Sequence, residues 1–463
     1  MRIPDSTTRI HAIAALAFRT AVRSRLLLCM SALLLLVTFG LPATIAGDGT
    51  LSGTVRVLLD YTLGLSSLLL GVAMLWTSCA GVAREIETGH IRLIAVRPVH
   101  ALELWLGKWL GLLAVCGLLL GIAGIGTYTL LRWKLHTSPA STEERRATTE
   151  QILSGQRRVV PQPDVLETAM ELRLAEAAAK GWNPKLIPRA KALVLIRAQL
   201  LSERATVAPA TERSWLLDLP RRLPKSAPVT LRTRISPSDG TGGLLAGSWT
   251  VTPEGHPERA WATTPQHYGN QITHIALPPG LARAGQTLRV TYRNDTHANT
   301  AVFDLERGVE LLVRESSFAS NLLRALLVVW CRLGLLCALG LAAGTCFSFP
   351  VAAFCASALV LLSMTGHYFI TNEAADVTIN SRTPPSAASA MIHKISEPLI
   401  HTLERLAAPA VSESPLAMLS DGVLVSWTHT LTSLLTLIIL YGGTLALASA
   451  ALLRRRELAT GER

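Results

Sequence analysis

"AREIETGHIRLIAVRPVHALELWLGKWLG", residues 83–111, separates two long apolar runs, "YTLGLSSLLLGVAMLWTSCAGV" at 61–82 and "LLAVCGLLLGIAGIGTYTLL" at 112–131. An apolar helix of about 20 residues crosses the hydrocarbon core of a bilayer. The two runs therefore read as consecutive spans, and the charged stretch as the short loop between them. The composition agrees: the 463 residues are 49% hydrophobic and only 16% charged, well below the charge content of a soluble domain. The fold class follows as an α-helical polytopic membrane protein.

Working outward, apolar runs near 26–46, 57–82, 109–131, 322–345, 349–370 and 424–452 give six transmembrane helices, with "GTCFSFP" and Pro350 turning the chain between the fourth and fifth. Lysine and arginine in short loops set orientation. Arg2, Arg9, Arg19, Arg23 and Arg25 precede the first run, Arg84, Arg92, Arg97 and Lys108 lie in the opening stretch, and Arg454–Arg456 follow the last run. With an even number of spans, all three clusters and both termini fall in the cytoplasm. The net charge of +12 is thus explained by topology and anionic lipid rather than nucleic acid, since no basic stripe with interleaved aromatics occurs.

The small residues Ala43, Ala46 and Gly47 after the first run imitate a signal-peptide cleavage site, but the long basic lead and the later spans make it a retained helix. Residues 1–25 place Ile10, Ile13, Ala17 and Ala21 at helical spacing, as in a helix along the cytoplasmic membrane surface or an extension of the first span. Spans one to three occupy 26–133, with the cytoplasmic segment at 83–108. Residues 134–320 form an extracytoplasmic α+β domain: "PDVLETAMELRLAEAAAKG" and "IPRAKALVLIRAQLLSERA" read as two helices broken at "WNPK", followed by alternating runs such as "VTLRTRI" and "TLRVTYR" of a β-sandwich-like part. Spans four and five cover 321–370. An outer loop follows at 371–423, where Met391, Ile395, Leu399, Leu403 and Leu406 line one face of an amphipathic helix. Residues 424–463 supply the sixth span and the basic cytoplasmic tail.

The seven cysteines all lie in or beside apolar runs without Cys-x-x-Cys spacing, which indicates neither a disulfide framework nor a zinc site. His256, His267, His274 and His297 lack ligand spacing, so no metal site is expected. No G-x-S-x-G turn marks a serine nucleophile, and a membrane-anchored hydrolase finds no catalytic constellation. Gly107-Lys108 lacks the remainder of a phosphate-binding loop, so any ATP is bound by another chain. Arg56 and Asp60 have the spacing of a helix-surface pair. Arg332, in "LLVVWCRLGLLCALG", either faces the bundle interior, another subunit or a watery path, or snorkels outward from a displaced helix.

The run "SCAGVAREIETGHIRLIAVRPVHALELWLGKWLG", the turn "GTCFSFPVAAF" and the closing "LSDGVLVSWTHTL" with "LLRRREL" together resemble the type 2 ABC permease family, most closely the permeases annotated with multi-copper enzyme maturation. The resemblance covers the membrane portion of the chain. It implies the membrane subunit of an ATP-driven exporter in the bacterial inner membrane, not itself an enzyme, paired as a homodimer or with a second permease. It also implies a coupling helix that docks on a separate ATP-binding subunit, carried over to Arg84, Glu85, Glu87, Gly89, Arg97 and Pro98. A short charged helix can form ion pairs with a soluble partner, and the same residues suit simple anchoring at the lipid interface. The chain departs from the family where simple members have a short loop, at 134–320. That departure supports an alternative: a non-transporting mechanotransmission or scaffold protein whose outer domain binds or remodels a partner.

Overall fold

The computed structural model describes residues 6–44, 50–88, 100–162, 166–179, 182, 189–221, 223, 228–240, 243–269, 271–296, 299–305, 308–376 and 414–459. In chain order these form helices α1 (Ser6–Val22), α2 (Arg25–Thr44), α3 (Leu51–Glu87), α4 (Ala101–Thr137) and α5 (Thr142–Gln151), strand β1 (Ser154–Val159), and helices α6 (Leu166–Ala179) and α7 (Arg189–Ala205). Strands β2 (Thr206–Val207), β3 (Glu212–Asp218), β4 (Val229–Pro237), β5 (Leu244–Leu245), β6 (Gly247–Pro253) and β7 (Trp261–Thr263) follow. The β region closes with β8 (His267–Tyr268), β9 (Ile272–Ala276), β10 (Thr287–Asn294), β11 (Ala301–Phe303) and β12 (Val309–Ser317). Helices return as α8 (Phe318–Cys346), α9 (Phe349–Asp376), α10 (Pro415–Ser420) and α11 (Trp427–Ser433), which continues through a π-helical stretch, Leu434–Gly442, into α12 (Gly443–Ala459). Among the described residues the chain divides into a helical unit, built from those up to Gly155, from Ser317–Glu373 and from 414–459, and a second unit formed by Gln156–Ser316 with residues 374–376.

The helical unit is that of a multi-pass membrane protein. Among the described residues α3, α4, α8 and Trp427–Leu453 are each long and apolar enough to cross a membrane, and α1 with α2 makes a fifth if their 66° break counts as a bend within one span. The apolar part of α9, Phe349–Ser363, is shorter, so six spans are an expectation that these helices meet only in part. The bend separates an amphipathic α1 from an apolar α2, and α1 packs along α4 rather than offering its Ile13 and Ala17 stripe to lipid. A Cβ at Gly107 would come within 2.7 Å of Ile13, and one at Gly111 within 2.5 Å of the Ala14 carbonyl. The spacing Gly107-x-x-x-Gly111 allows this approach, as small residues do where apolar helices pack without a hydrophobic driving force between them.

A second pair of glycines acts likewise on α8, where Gly340 and Gly344 lie against the carbonyls of Leu75 and Cys79 on α3. Tryptophans tie the spans through carbonyls that retain a free lone pair. Trp109 Nε1 donates to the Gly334 carbonyl at 2.9 Å, and Trp330 Nε1 to the Leu113 carbonyl at 3.0 Å. All seven cysteines are free, and Cys79, Cys116, Cys331 and Cys337 fill buried positions of the helical unit. Side-chain caps fix the helix starts: Thr50, Ser141, Ser317, Ser414 and Ser426 each accept a backbone N–H from the first turn.

In the second unit a six-stranded sheet, ordered β1-β12-β4-β11-β2 with β9 also on β4, faces a four-stranded sheet ordered β3-β10-β6-β7. Alternating residues of both sheets, including Leu231, Ile235, Leu311, Val251, Val290 and Tyr292, enter one shared core. This is the sandwich that strict two-residue periodicity demands. The helices precede most of the strands, as the sequence suggests, but β1 comes before them and joins β12. On the opposite face of the larger sheet Glu310 of β12 is fully buried beside its cross-strand partner Arg232. Arg232 Nε and Nη2 donate to Glu310 Oε2 at 2.9 and 2.5 Å, while Arg158 approaches Oε1 at 3.2 Å. Two guanidinium groups thus compensate one carboxylate held out of water.

Where the sequence sets the start of the inserted domain at residue 134, the second unit begins at Gln156. The intervening residues belong to the helical unit: α4 runs on to Thr137, and α5 sends Glu144 back to accept the Leu51 N–H at 2.7 Å. The amphipathic pattern at 391–406 lies outside the described residues.

Candidate functional site

The end of the helical unit where α3 stops and α4 begins gathers a cluster of charged side chains. Glu85, on the last turns of α3, forms an ion pair with Lys108 of α4, and the Lys108 ammonium also donates to the Gly81 carbonyl at 2.8 Å. Lys108 is only 8% exposed. Its stem is buried in the bundle, and the ion pair and the carbonyl replace the water that its charge loses. One turn earlier on α4, Glu103 accepts from Ser6 Oγ at 2.5 Å and pairs with Arg9 at 3.7 Å, which fixes the start of α1. The same Glu103 carboxylate reaches back to the His100 N–H at 3.3 Å and closes a capping box.

The last turn of α3 is bound to α9 as well. The Arg84 guanidinium lies 5.1 Å from the centre of the Phe349 ring, and Glu87 Oε1 accepts the Phe349 N–H at 3.2 Å. The carboxylate therefore satisfies one of the unpaired donors at the start of α9. Arg84, Glu85 and Glu87, which the family resemblance assigns to docking, each spend their side chains on the protein's own helices. Gly89, Arg97 and Pro98 lie outside the described residues. Lys108 and Glu103 complete this junction, and sequence reasoning assigned neither of them to it. Their partners are 23 and 97 residues away, beyond any helical spacing. The available signal was the pair Gly107 and Gly111, which marks where another helix presses on α4.

At the opposite end of the same helices a second polar cluster holds residues 420–427. Asn321 of α8 is fully buried; its side chain donates to the Val423 carbonyl and accepts the Val425 N–H, both at 2.8 Å. Arg324 donates to the Val425 carbonyl at 3.3 Å and lies 5.1 Å from the centre of the Trp427 ring. Arg56 pairs with Asp421 at 3.6 Å, so it is tied to this segment while also lying within electrostatic reach of Asp60, its neighbour by helical spacing. Gly422 makes the turn possible twice over. Its φ is +71°, and a Cβ there would sit 2.2 Å from the Gln151 carbonyl of α5. The sequence had read 424–452 as an ordinary span; its first residues are instead an extended strap hydrogen-bonded to α8.

Arg332 is half-buried on α8 between the buried Cys331 and Leu333. Among the described residues no three His, Cys, Asp or Glu side chains converge on a common point. His267 is buried in the sandwich, where it accepts from Trp249 Nε1 at 2.7 Å and meets Thr273 Oγ1 at 3.1 Å. Burial pushes its imidazole down to about 4, because the protonated form loses hydration without gaining a carboxylate. His256 pairs with Glu258 on the surface, His274 lies opposite Arg232 on β9, and His297 is outside the described residues.

No family model, curated protein or solved structure matches this chain. The two polar ends of the helical unit are therefore read from their own geometry. One binds four helices, α1, α3, α4 and α9, together where α3 ends and α4 begins, and the other fastens a strap across α3, α5 and α8.

Proposed function

We propose that this protein is the membrane-spanning subunit of an ATP-binding cassette exporter, in which a separate subunit hydrolyses ATP and its movement is delivered through the α3–α4 loop. What supports the reading is the junction around Glu85: through Lys108, Phe349 and the glycine contacts of α8, a displacement of the last turn of α3 is passed to α4, α8 and α9 together. A loop that served only to anchor helix ends in the interface requires no such cross-bracing. ATP acts on the partner subunit, and the chain pairs with a second permease, either a copy of itself or a related subunit. The loop faces the cytoplasm of a bacterial inner membrane.

The test is purification of the full chain from its native membrane. A nucleotide-binding subunit with a phosphate-binding loop is expected to copurify, and Arg97→Glu is expected to release it without lowering the melting temperature. Glu85 and Glu87 are poor probes because their loss disturbs the junction itself. Absence of any ATPase subunit from the purified complex refutes the proposal. A second reading, transmission of mechanical work to the inserted unit without transport, is favoured by that unit's own hydrophobic core. It requires that replacing 156–316 by a short linker abolish function while ATPase stimulation survives.

A further inference from the structure

The end of the helical unit that carries the strap also contains a cleft of about 640 Å³ between α2, α3 and α4. Phe39, Leu51, Val55, Leu58 and Leu130 form its apolar wall, and Lys134 lies at its rim. The polar groups on the other side are already engaged: Glu144 accepts the Leu51 N–H, and Thr50 caps Gly53. The neighbouring cation Arg132 donates to Tyr128 Oη at 3.0 Å. Lys134 differs, because among the described residues its ammonium makes no ion pair or hydrogen bond. Beside it Trp133 is 61% exposed, as an indole at the boundary between hydrocarbon and headgroups is.

We propose that this cleft holds one acyl chain of an anionic phospholipid, with the headgroup phosphate on Lys134. The argument is complementarity at two levels. The apolar wall opens among helices that cross the membrane, so the solvent that reaches it is lipid, and a single flexible chain fits a cleft of this size. Lys134, whose ammonium has no ion pair or hydrogen bond among the described residues, stands beside the exposed Trp133, a pairing of cation and indole that suits the headgroup level, and a short-range contact with a phosphate there is worth more than in bulk water. An apolar helix from a second copy fills the same wall but leaves Lys134 without a counter-charge. The inference concerns lipid binding alone and does not depend on transport.

The experiment uses the full chain in nanodiscs that contain phosphatidylglycerol and phosphatidylcholine. Each lipid is supplied in turn as a probe with a diazirine in the same acyl chain, and crosslinked peptides are mapped by mass spectrometry. Peptides 50–58 and 130–140 are expected to label roughly five-fold more with the phosphatidylglycerol probe, the preference one cation near the headgroups provides. Exposed positions such as Ile125 on the same helix serve as bulk-lipid references. Lys134→Gln is expected to remove the preference and Lys134→Arg to retain it, whereas Thr54→Trp is expected to lower cleft labelling by both probes and leave Ile125 unchanged. Equal labelling by the two headgroups, or cleft labelling no higher than at Ile125, overturns the proposal. So does protection of the cleft from every probe, which would assign it to a protein surface.

Discussion

Removing the Glu85–Lys108 pair tests whether the junction at the end of α3 is held by electrostatics or only by packing. The Lys108 side chain is 10% exposed and that of Glu85 36%, so the two single substitutions are not equivalent. Glu85→Gln leaves an ammonium buried with one carbonyl, and breaking a fully buried pair costs about 3–5 kcal/mol. The partly solvated carboxylate screens the interaction, which brings the expected cost to about 2 kcal/mol. Lys108→Met returns Glu85 to water and keeps an apolar stem in the bundle, at about 1 kcal/mol. The double variant has neither charge and is expected to lose about 1 kcal/mol in total, which leaves a coupling of about 2 kcal/mol. The assay is thermal unfolding of the full chain in detergent, followed by tryptophan fluorescence, with amide exchange at 81–88 as a local readout. Additive single effects, within about 0.5 kcal/mol, would falsify the claim that the pair braces α3 against α4.

Three further outcomes follow from the packing and the buried charges. Gly340→Ala places a methyl group 2.6 Å from the Leu75 carbonyl oxygen, a backbone atom that cannot rotate away, so a loss of about 1–3 kcal/mol is expected in the same melting assay; an unchanged melting temperature would show that α3 and α8 do not approach this closely. Glu310→Gln leaves Arg232 buried without its counter-charge and is expected to cost about 3 kcal/mol, read as faster proteolysis within 156–316, whereas Arg158→Gln at the more exposed partner costs under about 1 kcal/mol. His267 has its folded pKa lowered to about 4 against an ordinary value of 6.5, so the stability of the sandwich is full above pH 6.5 and falls as pH drops towards 4, by about 3 kcal/mol in all. His267→Phe removes that slope, and a wild-type protein whose amide exchange in β6 and β10 is indifferent to pH across this window would contradict the assignment.

The four long spans were legible because a run of leucine, valine and alanine about 20 residues long has one common physical solution. The sandwich was legible because Val229, Leu231 and Ile235 repeat with a period of two and enter the core as that period requires. What escaped was set by distant contacts. The bend between α1 and α2 depends on Gly107 and Gly111 accepting α1, and neither glycine lies near the bend in sequence. The strap at 420–427 has apolar residues on both sides and reads as the start of a span, until Asn321, a hundred residues earlier, takes up its backbone groups. Arg84, Glu85 and Glu87 were recognised as a special cluster, but a charge cluster in one segment does not reveal whether its partners are on another protein or on the next helix.

The π-helical stretch Leu434–Gly442 changes how the last span must be numbered. Each residue in excess of the α-helical count rotates everything beyond it by about 100° relative to an uninterrupted helix. Ala446, Ala450 and Leu453 are buried on a face that the α-period, counted forward from the buried Thr430, Ser433 and Leu437, does not select. A one-residue deletion within 434–442 therefore removes the excess, restores regular hydrogen bonding and leaves these residues facing the bundle, whereas the same deletion beyond Gly442 turns the end of the helix by about 100°. The wide turns thus absorb a difference in length without turning the span, and an α-count carried straight through them misassigns every lipid-facing position beyond Gly442.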